Sequence, residues 1–176
     1  MILILLGPPG SGKGTVAEKI NVKHHFPVVS VGEMLRSEIK IGTQIGKKSS
    51  QYVSSGRLVP DDIINSLVIE CIQKYNDEES IILDGYPRTL NQAWTLEEES
   101  ENELMVFYLD VDKDILINRL LNRRRKDDTK ETISQRFETY QNETQPLLEY
   151  YRKIEILVKV SGETSADIFQ EIEKFL

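Results

Sequence analysis

A glycine-rich segment near the start of the chain has the residue types and spacing of a phosphate-binding loop. Residues 7–15 read GPPGSGKGT, directly after an apolar run and before a segment with helical periodicity. Glycines let successive backbone N–H groups turn toward phosphate oxygens, the following helix adds a favourable dipole, and Lys13 supplies a mobile cation. Gly14 stands where the general pattern has Ser or Thr, and Thr15 comes one position later. The segment therefore predicts a nucleotide phosphate site, without assigning the usual magnesium role to Thr15.

Two further groups of charged residues are placed to act on the same phosphates. Asp84 ends the apolar run 81–83, a position from which a carboxylate reaches the magnesium of a nucleotide at the carboxyl edge of a parallel sheet. Residues 119–126 carry five cations in eight positions. Such a run is either a solvated helix end or a phosphate site, and beside the glycine-rich loop we favour the phosphate site.

Short apolar runs indicate the strands that position these groups. They are continuous rather than alternating, which is typical of strands covered on both faces. They occupy residues 2–6, 27–31, 81–83, 105–109 and 156–160. Helical periodicity fills the intervals, so the runs predict a parallel sheet with crossover helices on both faces.

Polar residues before the helical segments indicate where helices begin. Asp61 or Asp62 is expected to cap one helix, Thr129 or Thr132 to open a long one, and Ser165 to cap the last. The first two of these helices lie between predicted strands, as a parallel sheet requires, and the last follows the strand 156–160.

Composition narrows the class of ligand. The 176 residues include 22 Lys and Arg against 29 Asp and Glu, and the net charge of −7 argues against a track for nucleic acid. One cysteine, Cys71, and two histidines argue against a disulfide framework and against a cysteine or histidine metal centre. The longest apolar run, residues 2–6, is too short to span a bilayer. These observations favour a single cytoplasmic domain that binds small phosphorylated ligands and neither nucleic acid nor membrane. We also expect a monomer.

A second motif gives the loop a family context. Residues 84–89 read DGYPRT, and with the loop form Gly-x-Pro-Gly-Ser-Gly-Lys-Gly-Thr they resemble the adenylate kinases, within the nucleoside monophosphate kinases. Gly14 belongs to that family form of the loop. Further similar segments are residues 30–36, 56–61, 119–123, 125–128 and 132–140, so the resemblance spans essentially the whole chain. It implies a three-layer α/β fold of the P-loop nucleoside triphosphate hydrolase type, with a five-stranded parallel sheet and helices on both faces.

The resemblance also implies the reaction ATP + AMP = 2 ADP, with Mg2+ accompanying ATP, and roles for individual residues. ATP binding falls to Gly10, Ser11, Gly12, Lys13, Gly14, Thr15 and Arg119, the last by stacking on adenine. AMP binding falls to Val31, Arg36, Val59, Gly85, Arg88 and Gln92. Catalysis falls to Lys13, Arg88, Arg123, Arg125 and Arg136, and Asp84 would hold the metal through water. Arginines suit phosphoryl transfer because a planar guanidinium pairs with two phosphate oxygens at once.

Two positions bear on the acceptor base. Gln92 lies four residues after Arg88. Adenylate kinases, which this segment resembles, have at this position the glutamine that binds the edge of adenine, whereas UMP-CMP kinases have Asn or Asp. An amide offers both a donor and an acceptor to that edge. Val31 stands where adenylate kinases usually carry threonine. AMP is the expected acceptor, and a UMP-CMP kinase or another nucleoside monophosphate kinase is the alternative.

Two segments are expected to complete the site within the single domain 1–176. Residues 30–60 would form a helical insert that binds the monophosphate, and residues 122–128 a very short lid. This segment is shorter than the lids of the kinases that the chain resembles. A shorter lid excludes water from the bound phosphates less completely, so we expect minor hydrolysis of ATP. A non-catalytic nucleotide-binding regulatory protein is the rival from another class, and the full set of arginines argues against it. A GTPase switch would need an Asn-Lys-x-Asp segment, which the sequence lacks.

Overall fold

The strands form one parallel sheet with the glycine-rich loop at the centre of one edge. The computed structural model describes residues 1–75, 79–122 and 128–176. These residues form the strands β1 (Ile2–Leu6), β2 (Val28–Ser30), β3 (Ile81–Asp84), β4 (Leu104–Asp110) and β5 (Leu157–Ser161). The order across the sheet is β2-β3-β1-β4-β5, and every neighbouring pair is parallel. The prediction of a five-stranded parallel sheet is confirmed, and β1 lies in its middle.

Helices cover both faces of this sheet. In the described residues they are α1 (Lys13–His24), α2 (Val31–Ile41), α3 (Gln44–Ser55), α4 (Asp61–Ile72), α5 (Leu90–Glu99), α6 (Lys113–Asn122), α7 (Lys130–Thr139), α8 (Pro146–Lys153) and α9 (Ser165–Ile172). A π-helical turn, Tyr140–Thr144, joins α7 to α8. Within those residues, none of the helices is both long and apolar enough to cross a membrane.

Side chains of the central strand alternate between two apolar cores. Ile2, Ile4 and Leu6 pack in the core that α2, α4, α5 and α8 complete. Leu3 and Leu5 pack on the opposite face, in the core that α1, α6 and α9 complete. All five residues of β1 are at most 3% exposed, which is why its sequence is continuously apolar. A fully buried strand holds the loop that follows it in a fixed position.

The helix starts differ from the sequence prediction by one residue in two places. Pro60, not Asp61 or Asp62, is the capping residue of α4. Both aspartates lie in its first turn, where their negative charges interact favourably with the helix dipole. Thr164 rather than Ser165 caps α9, because Thr164 accepts from the N–H of Asp167. Thr129 opens α7 with a reciprocal capping box, as one of the two alternatives predicted.

The helices α2 and α3 form a tight hairpin within residues 30–60. Gly42 ends α2 with a φ of 81°, and Thr43 caps α3 by accepting from the N–H of Gly46 at 3.0 Å. Gly46 lies so close to α2 that a Cβ there would overlap the backbone of Glu38. A glycine is required at this crossing because no side chain fits between the two helices.

Candidate active site

A large cleft runs along the carboxyl edge of the sheet. Its volume is about 1610 Å³, more than the roughly 300–1,000 Å³ that a single small ligand usually occupies. The cleft is large enough for two nucleotides side by side. Within the described part of the chain, the predicted site residues that line it are Gly10, Gly12, Lys13, Gly14, Thr15, Val31, Arg36, Val59, Asp84, Gly85, Arg88, Gln92, Arg119 and Arg136. Ser11, within the loop, is fully buried.

The loop after β1 wraps around the ammonium group of Lys13. Nζ of Lys13 donates to the carbonyl oxygens of Gly7 at 2.7 Å and Pro8 at 3.1 Å, and lies 3.3 Å from Oγ of Ser11. Gly12, at a φ of 93°, turns the chain into α1, so the first N–H groups of that helix face the cleft. The loop therefore offers a cation and a helix N-terminus at one place, which is the arrangement that binds phosphate.

Arg119 fastens this loop to its surroundings. It lies in the last turn of α6, and its Nη1 donates to the carbonyl oxygen of Ser11 at 3.3 Å. Its Nη2 donates to the carbonyl oxygen of Glu163, between β5 and α9, at 2.7 Å. One guanidinium thus ties together three segments at the edge of the cleft.

Three arginines from separate elements converge on the other half of the cleft. Arg36 comes from α2, Arg88 from the loop after β3, and Arg136 from α7. The pKa of Arg88 is lowered, chiefly because the cleft walls displace its water and further because Arg136 and Arg36 repel its charge, while Asp84 opposes the shift. Guanidinium groups stay charged at neutral pH, so this cluster concentrates positive charge around a space suited to an anion.

Each of these arginines has a contact that orients it. Nε of Arg88 donates to the carbonyl oxygen of Gly85 at 3.0 Å. Arg136 pairs with Asp128 at 2.5 Å, and the Asp128 side chain is only 2% exposed. Arg36 pairs with the exposed carboxylate of Glu33. Arg136 is thus held by a buried carboxylate and Arg88 by a backbone oxygen, whereas the partner of Arg36 is open to solvent and an incoming anion can displace it.

Asp84 lies between the two halves of the cleft. Its Oδ2 accepts from Oγ of Ser30 at 3.2 Å. A Cβ on Gly14 would come within 3.3 Å of that same oxygen, which gives a steric reason for glycine where the general loop pattern has Ser or Thr. The residues described contain no group of three or more His, Cys, Asp or Glu side chains that could hold a metal by themselves.

The amide of Gln92 is buried at one wall of the cleft. The residue is 2% exposed, its Oε1 accepts from the backbone N–H of Arg88 at 2.7 Å, and its Nε2 donates to Oδ1 of Asp61 at 2.6 Å. Val31 and Val59, each 4% exposed, belong to the apolar core next to it. The sequence predicts Gln92 at the cleft, and offers Asp61 as a helix cap and within the family-like segment 56–61, but no pattern relates the two residues.

Thr144 contacts the backbone of Arg88. Oγ1 of Thr144, in the π-helical turn, donates to the carbonyl oxygen of Arg88 at 3.0 Å, and Thr144 is 7% exposed. Such turns are frequent at functional sites. The nearby Pro146 indicated an interruption of the helix, but nothing in the sequence pattern indicated a π-helical turn. Arg123 and Arg125, and with them most of the predicted lid 122–128, lie outside the described residues.

Comparison with known proteins decides the family. A family model for adenylate kinase matches residues 5–156, which include the loop, the three convergent arginines, Asp84 and Gln92. The chain belongs to the adenylate kinase family.

Curated adenylate kinases match over nearly their whole length. Adenylate kinase 1 of Nostoc sp. is 41% identical over 169 residues, covering 94% of this chain and 92% of the relative. The adenylate kinase of Mycolicibacterium smegmatis is 44% identical over 156 residues, with 86% of each chain covered. That of Archaeoglobus fulgidus is 35% identical over 212 positions, covering all of this chain and 98% of the relative. The activity of this adenylate kinase family member is ATP-dependent phosphoryl transfer to AMP.

Proposed function

We propose that the two halves of the cleft are the donor and acceptor subsites of this transfer. The loop amides of residues 10–15 and Lys13 bind the β and γ phosphates of ATP, and Arg119 contacts its adenine. Arg36 and Arg88 bind the phosphate of AMP. The observation that carries the proposal is the convergence of Arg36, Arg88 and Arg136 from three separate elements at one end of the phosphate loop's cleft.

The chemistry asked of these residues is positioning and charge stabilisation. The phosphate of AMP is already a nucleophile, so the transfer needs no side-chain base. Charge that develops on the equatorial oxygens of the transferred group is offset by Arg136, and by Arg123 and Arg125 as the family resemblance implies. The contacts of Arg88 to Gly85 and of Arg136 to Asp128 hold two of these cations in place before substrate binds. Such preorganisation lowers the barrier because little rearrangement is needed during transfer.

Magnesium fits this site as a companion of ATP. Asp84 supplies a hard carboxylate oxygen beside the phosphate loop, and its Oδ2 is held by Ser30. Mg2+ commonly uses one or two carboxylates together with substrate phosphates and several waters. Asp84 would hold the ion through water, and the ion would screen charge between the phosphates.

The acceptor specificity is proposed to reside in Gln92. Its amide lies against the acceptor half of the cleft and carries both a donor and an acceptor, the pair that the N6 and N1 edge of adenine requires. Val31 supplies apolar contact at the same wall. We also propose a cytoplasmic location, which the single, partly buried Cys71 supports because it offers no disulfide framework. The protein is further proposed to be a monomer.

Replacing Arg88 tests the two-subsite arrangement. Arg88→Ala removes two charge-assisted hydrogen bonds to the acceptor phosphate, each worth about 1.5–3 kcal/mol, so kcat/KM for AMP should fall by about 10²–10⁴. ATP affinity, measured by calorimetry, should change by less than about threefold, since the donor half is untouched. Arg152→Ala, at an exposed position on α8, is the matched control and should leave both values unchanged. Equal loss of ATP binding and transfer in Arg88→Ala would refute the division into two subsites.

A further inference from the structure

The side-chain amide of Gln92 is held from two sides by partners of opposite character. Its Oε1 accepts from the backbone N–H of Arg88 at 2.7 Å, and its Nε2 donates to Oδ1 of Asp61 at 2.6 Å. A backbone N–H can only donate, and an ionised carboxylate can only accept. Turning the amide by 180° would set donor against donor and acceptor against acceptor, so the amide has one allowed orientation.

Both carboxylate oxygens of Asp61 accept hydrogen bonds that fix its side chain. Its Oδ2 accepts a hydrogen bond from Oγ1 of Thr89 at 2.8 Å, while its Oδ1 accepts one from Nε2 of Gln92. The same Thr89 hydroxyl oxygen accepts from the backbone N–H of Gln92 at 3.1 Å and caps α5. The carboxylate therefore joins the first turn of α4 to the first turn of α5, and neither of its oxygens can shift without breaking a contact.

A fixed amide presents a fixed pattern of hydrogen bonding to the cleft. After its internal contacts, Gln92 keeps one lone pair on Oε1 and one N–H on Nε2. The edge of adenine offers the N6 amino group as a donor and N1 as an acceptor. Hypoxanthine and guanine offer the reverse, O6 as an acceptor and N1–H as a donor. An amide that cannot turn satisfies the first edge and opposes the second.

We infer that Asp61 is a specificity-determining residue, one that selects a 6-amino purine monophosphate over a 6-oxo purine monophosphate by locking the orientation of Gln92. Asp61 acts through Gln92 and touches no substrate, so it is a positioning residue. The inference rests on the proposed reading of the base by Gln92. Asp61 is responsible for the base selectivity that depends on the orientation of the Gln92 amide.

The test compares AMP with IMP as acceptors, using the ratio of their kcat/KM values. Asp61→Leu removes the acceptor that orients Nε2, so the AMP to IMP ratio should fall at least about tenfold, with the KM for ATP unchanged. Asp61→Asn keeps the shape and one carbonyl oxygen, and its ratio should lie between the wild type and Asp61→Leu. Asp62→Leu is the matched control: the neighbouring aspartate lies in the same first turn, is exposed, and should leave the ratio unchanged.

Gln92→Leu separates failure of this inference from failure of the proposed base reading. If Gln92→Leu leaves the AMP to IMP ratio unchanged, Gln92 does not read the base, and both ideas fall. If Gln92→Leu lowers the ratio while both Asp61 variants keep it, the lock is overturned and the role of Gln92 stands. If Asp61→Leu does not fold, Asp61→Asn alone decides, since a ratio equal to that of the wild type contradicts the inference.

Discussion

Substitution of Gly46 should weaken both the fold and the binding of AMP. A Cβ at this position overlaps the backbone of Glu38, so α2 and α3 must separate to admit it. Overpacking of this kind costs about 1–3 kcal/mol, and the better helix propensity of alanine returns up to about 1 kcal/mol. Gly46→Ala should therefore lower the free energy of unfolding by about 1–2 kcal/mol. For a chain of this length that corresponds to a fall in Tm of roughly 2–8 °C.

The functional effect follows from what α2 carries. Arg36 lies on this helix, so displacement of α2 moves one of the three convergent arginines. We expect the KM for AMP to rise and the KM for ATP to stay the same. Thermal unfolding followed by circular dichroism and steady-state kinetics measure the two effects. Lys47→Ala, at the exposed neighbouring position, is the control and should stay within about 0.5 kcal/mol of the wild type. A Gly46→Ala protein as stable as the wild type, with an unchanged KM for AMP, would refute the packing argument.

Two further expectations concern pH and water. Burial and the 2.6 Å hydrogen bond to Glu97 raise the pKa of Tyr150 to about 12. The protonated Tyr150 hydroxyl therefore stabilises the folded protein below pH 10, and this contribution is lost as pH rises toward 12. The stability advantage of the wild type over Tyr150→Phe, from denaturant unfolding, should shrink across that range, and a constant difference would contradict the assignment. The few residues between Asn122 and Asp128 predict minor hydrolysis of ATP without acceptor, and finding no ADP at a sensitivity of about one turnover per thousand transfers would remove this expectation.

Features set by local pattern were predictable from the sequence. The residues of β1 are apolar at every position because both faces of that strand are covered, and this continuity shows directly in the sequence. The phosphate loop was equally evident, since its glycines, its lysine and its flanking strand and helix are contiguous. Helix starts were less secure. Thr164 and Ser165 are both capping types, and only the reciprocal contact with Asp167 distinguishes them.

Features set by long-range contact were not predictable in the same way. The partners Gln92 and Asp61 are 31 residues apart, and neither local periodicity nor spacing relates them. The convergence of Arg36, Arg88 and Arg136 depends on how three elements meet at the sheet edge, so the sequence could suggest it only through family resemblance. The contact of Thr144 with the carbonyl of Arg88 depends on a π-helical turn, for which no sequence pattern is diagnostic.

The most direct test of the account is the acceptor preference of the unmodified protein. A coupled assay with ATP and Mg2+ should compare AMP, CMP, UMP and GMP, together with their deoxy forms, as acceptors. We predict the highest kcat/KM for AMP, with one ADP formed from each substrate per turnover. Preference for a pyrimidine monophosphate would contradict the reading of Gln92 as the base-selecting residue. If none of these acceptors is phosphorylated, the assignment of the cleft as a donor and an acceptor subsite is contradicted.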